Sequence, residues 1–516
     1  MGQKNKKTLL INLGASLIVF LVQLIISFWV TPYVVGKLGE SAYGFITLAL
    51  NFTEYATLLT VAINSMASRF ISISYNQNNV EEANEYFSSV FWFNIILSSI
   101  ILVLSIFLVV NINHIINIPS SQINDVKITF ALTFFNLIVS FISTCYAATP
   151  FVTNRMDYNA YVQIVSKFVR LVLTILLFLL CVPRIYYVGL ANLIATLIAL
   201  LIYMYIKNVL TPEFSIRLCY FSFKKLIIIA KSGVWMLLSN LSSLLLNGMD
   251  LLIANLLISP DAMGRLSVSK QLPMAVSSLL GYLSSIFTAS LTQLVALGKK
   301  SELVEEIKFT FRILGTFLTV PFAGIIIYGI SFLYLWLPEG VYTYAEIIEI
   351  YILMMLTLSN IIVNAYMYSL HSLYIAINKV KMYSIVIFVC SVISVFTTII
   401  LTKFSGLGVY AIAGTSTIIL SLINLFWVPM YAEKVLNIKT FSFMKTIMKN
   451  YIALIMTCII FKILSNFLVL NNWTYFLLSC MLSALIGYVF AFNFILKKEE
   501  RKRVKDVISK KLGVGI

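Results

Sequence analysis

The chain has 516 residues, of which 60% are hydrophobic and only 11% are charged. Soluble domains carry about 25% charged residues, so most of this chain requires lipid as its solvent. The net charge of +17 does not indicate nucleic-acid binding, because the basic residues are scattered in short loops and a terminal tail, with no compact domain to present them. The composition therefore predicts an all-α polytopic membrane protein.

Apolar runs of about 20 residues, long enough to form transmembrane helices, recur along the whole chain. The first run is too long for a cleaved signal peptide and has no clear cleavage site, so we expect it to be retained. About fourteen transmembrane helices are predicted, and they begin near Leu9, Tyr43, Phe87, Val126, Tyr158, Tyr186, Leu226, Ala262, Phe309, Tyr342, Met382, Gly406, Ile447 and Thr474.

The distribution of Lys and Arg predicts the orientation of these helices. With the N-terminus inside, about thirty of the 37 basic residues lie in inner loops, at inner helix ends or in the C-terminal tail. Cytoplasmic loops collect Lys and Arg, so both termini are expected to be cytoplasmic. The richness in Ile, Lys and Asn suggests a bacterial source, and we expect the chain to lie in the bacterial cytoplasmic membrane.

Short segments of the first half recur in the same order in the second half. The members of each matched pair are 219, 220 or 224 residues apart, and six predicted helices separate them. An even number of helices keeps both halves in the same orientation, which makes this a parallel repeat. The pairs are Gly14 and Gly233, Gly44 and Gly264, Val80-Glu81-Glu82 and Val304-Glu305-Glu306, Asn154 and Asn378, and Gly189 and Gly408.

The repeat predicts the domain organisation. Two six-helix bundles are expected at 1–209 and 226–436, joined by a cytoplasmic linker at 210–225. Two extra transmembrane helices at 437–496 and a basic cytoplasmic tail at 497–516 follow them. Two parallel bundles around a central cavity are typical of alternating-access transporters, although a duplicated bundle without a transport function has the same pattern.

Asp250 and Lys270 lie about ten residues on either side of a predicted turn at Pro260–Asp261. At 1.5 Å per residue, both lie roughly 15 Å below that turn. A charge at the bilayer centre costs about 2.5–3.5 kcal/mol, so neither residue is expected to face lipid. Either the two form a structural ion pair, or they line a cavity that receives a substrate or a coupling ion.

Other polar residues are candidates for lining the same cavity. Glu54 is either a hydrogen-bonded structural residue or a carboxylate that exchanges a proton or binds a cation. Arginines at inner helix ends are either ordinary positive-inside residues or parts of an inner vestibule that attracts phosphate. The complete candidate set is Lys270, Asp250, Glu54, Arg69, Arg170, Arg312, Arg265, Asn247 and Gln271.

The chain has no pattern that indicates catalysis. It has no GxxxxGK[ST] motif for nucleotide binding and no Ser/His/Asp or metal-binding constellation, and its six cysteines show no CxxC spacing. The sequence therefore predicts a protein that is not an enzyme and has no resident cofactor or metal. Whether H⁺ or Na⁺ acts as a coupling cation stays open.

The opening of the chain resembles that of the polysaccharide-biosynthesis flippases, a family of the multidrug/oligosaccharidyl-lipid/polysaccharide exporter superfamily. The resemblance lies in NLGASLIVFLVQLIISFWVTPYVVGKLGESAYG (12–44), through Asn12, Pro32-Tyr33, Leu38-Gly39 and Tyr43-Gly44. The opening of that family's second half is similar to MDLLIANLLISPDAMGRLSVSKQL, with Asp250, Gly264 and the Ser-Val-Ser run. The chain departs from the family at Arg265, where an aromatic residue is frequent, and at Leu257-Ile258, where Gly is usual.

This resemblance implies transbilayer export of a lipid-linked oligosaccharide for a cell-surface polysaccharide such as capsule or O-antigen. The expected partners are this polyprenyl-pyrophosphate substrate, membrane lipids, and the glycan polymerase or assembly machinery, with no nucleic acid. In this scheme Asp250 and Glu54 reset the empty carrier, and the pyrophosphate or acidic sugars are held by Lys270, Arg170, Arg69 and Arg312.

Three other functions remain as alternatives. The first is a cation-coupled multidrug antiporter of the same superfamily, which needs an acidic cleft for cationic drugs. The second is a glycan polymerase or ligase, which ranks lower because no predicted outer loop exceeds about fifteen residues. A membrane scaffold ranks last.

Overall fold

The computed structural model describes residues 21, 24–153, 155–377, 379–468, 470 and 472–502. Within these residues all regular secondary structure is helical, which confirms the predicted fold class. The first six long helices are α1 (Leu24–Leu38), α2 (Glu40–Asn76), α3 (Val80–Val110), α4 (Ile123–Val152), α5 (Met156–Leu180) and α6 (Tyr186–Leu210).

The second series of helices begins after the predicted linker. It consists of α7 (Phe223–Asn247), α8 (Asp250–Leu257), α9 (Pro260–Ser269), α10 (Gln271–Ala296), α11 (Lys300–Trp336), α12 (Tyr344–Asn364) and α13 (Met367–Ala376). The chain ends with α14 (Val380–Phe404), α15 (Val409–Leu422), α16 (Val428–Val435), α17 (Ser442–Ser465) and α18 (Trp473–Ile495).

Twelve segments of the described residues are long and apolar enough to cross a membrane. The chain is therefore a multi-pass membrane protein. The described part of α1 is apolar but shorter, and the predicted helix start at Leu9 lies outside the described residues. The count of fourteen transmembrane helices stays a prediction.

Some helices begin before the apolar run that predicts them, because polar capping residues extend them. Helix α3 begins at Val80 rather than near Phe87, and the side chain of Asn79 accepts a hydrogen bond of 3.1 Å from the backbone N–H of Glu82. Such caps satisfy backbone N–H groups that the helix itself leaves unpaired. A hydropathy pattern does not reveal these caps, because the capping residues are polar.

Packing divides the chain into two compact units. The first unit contains Met1–Val268 and Ser384–Ile412, and the second contains Ser269–Tyr383 and Ala413–Ile516. These units follow contacts between helices, whereas the bundles predicted at 1–209 and 226–436 follow the repeat. The predicted bundle boundaries therefore stay predictions.

Each unit has an aromatic centre in its core. In the first unit Phe87 packs against Phe214, with ring centroids 5.2 Å apart. In the second unit Phe311 packs against Phe443 at 5.7 Å. Phe87 and Phe311 are 224 residues apart, which is the spacing of the repeat in this part of the chain. Phe87 and Phe311, which are counterparts in the repeat, thus each pack against another phenylalanine in the core of their unit.

The linker lies against the start of α3 and is held by buried polar side chains. The amide of Asn84 donates a hydrogen bond of 3.1 Å to the carbonyl of Glu213 and accepts one of 2.8 Å from the N–H of Ser215. Ser88 donates to the carbonyl of Ser215 at 2.9 Å. These bonds satisfy linker backbone groups that no secondary structure pairs.

The two helices that follow the repeat, α17 and α18, are attached to α11. Asn450 of α17 donates a hydrogen bond of 2.8 Å to the carbonyl of Phe311. Tyr328 of α11 and Ser483 of α18 share a hydrogen bond of 2.7 Å between their hydroxyl groups. Buried hydrogen bonds of this kind hold helices together where water is absent.

Candidate functional site

The predicted long helix from Leu226 is interrupted, and the interruption positions Asp250. Helix α7 ends at Asn247 and α8 begins at Asp250. The freed carbonyl of Gly248 accepts hydrogen bonds from the Asn51 amide at 3.0 Å and the Tyr55 hydroxyl at 2.6 Å, both from α2. A break at membrane depth is tolerated when neighbouring side chains satisfy the backbone in this way.

Asp250 is the first residue of α8 and is buried, with 7% of its surface exposed. The positive end of the helix dipole stabilises a carboxylate in that position. Tyr55 lies within electrostatic range of both Asp250 and Glu54, so the first unit gathers two candidate acids around one tyrosine. Glu54 as a whole residue is exposed.

Lys270 also lies at a helix break. Helix α9 ends at Ser269 and α10 begins at Gln271, so Lys270 occupies the junction, where it is 7% exposed. Asp250 belongs to the first unit and Lys270 to the second. Both the ion pair and the shared cavity stay predictions.

The turn between α8 and α9 lies at Ile258–Ser259, which is earlier than the predicted Pro260–Asp261. Pro260 begins α9 instead, and the hydroxyl of Ser259 accepts a hydrogen bond of 3.1 Å from the N–H of Ala262. Proline suits the first position of a helix because its missing N–H has no partner there. The prediction treated it as a turn residue and was wrong by about two residues.

Four of the remaining candidates lie on four different helices. Arg69 is exposed on α2, and Arg170 is half-buried on α5 within electrostatic range of Tyr43. Asn247 is exposed and donates a hydrogen bond of 3.1 Å to the carbonyl of Ser243, one turn earlier. Gln271 is half-buried at the start of α10. Their roles at a substrate cavity stay predictions.

Arg265 has a partner that the sequence did not reveal. Its Nη1 donates a hydrogen bond of 2.9 Å to a carboxylate oxygen of Glu40, the first residue of α2. In the sequence Glu40 looks like an ordinary polar residue beside a loop. The signal in the sequence is Arg265 itself, because a basic residue between apolar segments needs an acidic partner nearby.

Arg312 also has an acidic partner, and that partner comes from the tail. Its guanidinium donates hydrogen bonds of 2.5–3.0 Å to both carboxylate oxygens of Glu500. The side chain of Arg312 is 6% exposed and that of Glu500 is 13% exposed. Binding of phosphate to Arg312, as predicted, would require Glu500 to leave.

A cleft of about 420 Å³ lies beside this ion pair. Its lining carries four carboxylates and one guanidinium, so it does not suit an anionic ligand. The lining residues are Leu294, Glu302, Glu305, Glu306, Phe309, Arg312 and Glu500.

The sequence is similar to a described protein family and to a bacterial membrane protein. The sequence model of the family described as "Polysaccharide biosynthesis protein" matches residues 9–291. EpsK, an uncharacterized membrane protein of Bacillus subtilis (strain 168), is 27% identical over 505 residues, which cover 98% of each chain.

Two solved structures share the fold. An inward-facing multidrug resistance MATE family transporter of the MOP superfamily has a TM-score of 0.69 at 14% identity, over 83% of this chain and 98% of that one. The lipid II flippase MurJ, in an inward closed conformation, has a TM-score of 0.66 at 14% identity, over 96% of this chain and 99% of that one. With a family match that spans more than half of its length, this chain belongs to the polysaccharide biosynthesis protein family, and it shares its fold with the MATE family transporter and the lipid II flippase.

Proposed function

We propose that this protein is a flippase that moves a polyprenyl-pyrophosphate-linked oligosaccharide from the cytoplasmic to the outer leaflet by alternating access. The proposal places it in the bacterial cytoplasmic membrane, with both termini inside, in the synthesis of a cell-surface polysaccharide. The observation that carries it is a buried basic residue, Lys270, at a helix break in a chain of the polysaccharide biosynthesis family. The fold shared with a lipid II flippase supports it.

The physical demands of such a substrate match the charges available. The headgroup is anionic and too polar to cross lipid unaided, so it needs basic partners that are shielded from lipid. Lys270 supplies positive charge for the headgroup in this scheme. With the cell interior negative, outward movement of one negative charge is favoured by about 2.3 kcal/mol per 100 mV.

Deletion of the gene, followed by complementation, tests the proposal. We expect the deletion strain to lose surface polysaccharide and to accumulate lipid-linked repeat units on the inner leaflet. Wild-type protein should restore both, whereas Lys270→Ala should lower the rate of appearance of outer-leaflet units by about tenfold or more, as expected for loss of a hydrogen bond to a charged group.

The matched control is Lys403→Ala, which removes an exposed lysine at the end of α14. It should behave as wild type. Unchanged surface polysaccharide in the deletion strain would overturn the proposed function, and a Lys270→Ala protein that is inserted normally and flips at the wild-type rate would remove Lys270 from it.

A cation-coupled multidrug antiporter is the second candidate. It is favoured by the acids Asp250 and Glu54 near Tyr55, because cationic drugs need carboxylates, and by the fold shared with a MATE family transporter. The same deletion strain separates the two functions. Altered drug tolerance together with normal surface polysaccharide favours the antiporter.

A further inference from the structure

Helices α2 and α9 meet at two glycines. A Cβ atom on Gly264 would overlap the carbonyl group of Glu40, and a Cβ atom on Gly44 would lie 3.1 Å from the Cα atom of Gly264. Small residues allow transmembrane helices to approach this closely, and a side chain at either position would push the backbones apart. The two glycines therefore set the distance between α2 and α9.

A second pair lies one helical turn further along. The hydroxyl of Ser267 donates a hydrogen bond of 2.8 Å to the hydroxyl of Thr47, and Ser267 is only 1% exposed. Thr47 and Ser267 are 220 residues apart, as are Gly44 and Gly264. Since 220 is the spacing of the internal repeat here, both contacts join a residue to its own counterpart.

The pairing of counterparts locates the axis of the repeat. Where two similar bodies are related by a two-fold rotation, a residue meets its own counterpart only beside the rotation axis. The Gly44–Gly264 and Thr47–Ser267 pairs, which we call the axial contact, therefore lie on the axis that relates the two halves of the sequence.

An ion pair without a counterpart lies next to the axial contact. Arg265 and Glu40 are 2.9 Å apart, with side chains that remain 20% and 15% exposed. Their own repeat counterparts are Phe45 and Pro260, which form no ion pair. This chain thus adds a one-sided charged contact to an otherwise symmetric one.

We propose that the axial contact is the outer gate of the carrier, closed in this structure and held shut by the Glu40–Arg265 ion pair. The proposal rests on the proposed function, because a carrier must open a release path. Charge distribution predicts that residues 40–47 and 260–267 lie toward the outer side. In a parallel repeat the two halves move apart about the central axis, on which this contact lies.

The chemistry of the contact suits repeated opening. Two hydroxyl groups, one carboxylate and one guanidinium make the polar contacts, and water can replace each partner when the helices part. At Gly264 the close approach is to the backbone of Glu40, whereas at Gly44 the buried side chain of Met263 packs into the space that the glycine leaves. Separation at these two positions therefore requires only the flexible Met263 side chain to be withdrawn.

A disulfide between counterparts tests the gate directly. We place Thr47→Cys and Ser267→Cys in a background whose six native cysteines are replaced by alanine and which still makes surface polysaccharide. The 2.8 Å between the hydroxyl oxygens is compatible with a disulfide. Oxidation should cross-link the pair and stop flipping, and dithiothreitol should restore it.

A matched control pair lies within the second half of the sequence. The hydroxyl groups of Ser239 on α7 and Ser384 on α14 are 2.9 Å apart. Ser239→Cys with Ser384→Cys should cross-link equally well and leave flipping unchanged. The gate proposal fails if the Thr47/Ser267 pair cross-links completely and flipping continues, or if that pair does not cross-link while the control does.

A second measurement does not depend on the substrate. The single variant Ser267→Cys should react slowly with a membrane-impermeant maleimide added outside cells, because residue 267 is buried in the closed gate. Adding Glu40→Gln should raise the labelling rate by about fivefold, a change that corresponds to about 1 kcal/mol for a partly exposed ion pair. Exchange of the charges, Glu40→Arg with Arg265→Glu, should return the rate toward its original value.

The outcomes separate failure of the gate from failure of the function. Labelling that is unaffected by Glu40→Gln would overturn the role of the ion pair, even if deletion abolishes surface polysaccharide. Labelling that rises and is restored by the exchange supports the gate, even if the transported molecule proves not to be a glycan lipid.

Discussion

The start of α3 in the first unit and the start of α11 in the second are counterparts in the repeat, yet they bind different parts of the chain. At position 88 of α3, the Ser88 hydroxyl donates to the carbonyl of Ser215 at 2.9 Å and accepts from the N–H of Arg217 at 3.4 Å. The counterpart 224 residues later is Arg312, which binds Glu500. One helix start therefore binds the linker, and the other binds the tail.

The difference lies in the chemistry of attachment. Neutral hydrogen bonds hold residues 213–217 of the linker, and the last linker residue, Lys225, adds an ion pair with Glu82 whose side chains are 18% and 30% exposed. The start of the tail is held by a buried guanidinium–carboxylate pair between Arg312 and Glu500. Removal of one partner of such a pair costs far more than loss of a neutral hydrogen bond, because the other charge stays buried without compensation.

The largest expected effect comes from Arg312→Ala. We expect this substitution to destabilise the docked tail by about 3 kcal/mol, the lower end of the range for breaking a buried pair, because Glu500 can escape into water when the tail swings away. Hydrogen–deuterium exchange at residues 497–502 in detergent measures it, and protection there should fall sharply. Arg184→Ala, which breaks an exposed pair with Asp125, should leave the tail unchanged.

Gly315→Ala tests the packing of α17 against α11, close to Arg312. A Cβ atom at 315 would lie 2.5 Å from the Asn450 amide, which is held in place by its bond to Phe311. We expect a loss of about 1–3 kcal/mol from overpacking, seen as a lower midpoint of thermal unfolding in detergent. Gly324→Ala on the same helix meets nothing within 4 Å and should be neutral or slightly stabilising.

Much of this comparison could be predicted from the sequence, because it depends on local patterns. Val80-Glu81-Glu82 and Val304-Glu305-Glu306 identify the two helix starts as counterparts, and apolar runs of sufficient length identify the helices. Burial of Asp250 and Lys270 also follows, since a charge in an apolar segment must avoid lipid.

The partners of charged residues could not be predicted in the same way. Arg312 and Glu500 are 188 residues apart, and Glu500 lies in a tail whose many basic residues suggested only a solvated cationic segment. The break at Gly248 has a local signal in the Asn247-Gly248 dipeptide, which is typical of turns, but the sequence does not show that Asn51 and Tyr55 of another helix satisfy the Gly248 carbonyl. Contacts between residues so far apart in the chain depend on how the helices pack, and a single sequence does not show that packing.

A smaller effect is expected from Ser88→Ala, which removes one of the neutral hydrogen bonds that hold residues 213–217 of the linker against α3. Loss of the hydroxyl leaves the partly buried carbonyl of Ser215 without this donor, at a cost of about 1–2 kcal/mol. The linker should exchange deuterium faster at residues 213–217, while the tail keeps its protection. Ser99→Ala removes an exposed hydroxyl that bonds only to its own helix, and it should change nothing. Equal loss of protection at both regions would show that the two attachments are not independent.

The smallest effect is expected from Lys497→Ala, which separates the exposed from the buried charges of the tail. Lys497 lies 3.3 Å from Glu305, but the two side chains are 55% and 58% exposed. Exposed ion pairs contribute at most about 1 kcal/mol and are screened by salt. Protection of the tail should therefore fall by less than about fivefold. The same measurement in high salt should reproduce the variant. If Lys497→Ala released the tail as fully as Arg312→Ala, exposed charges would hold the tail. Burial of the Arg312–Glu500 pair would then not explain why the tail is attached to α11.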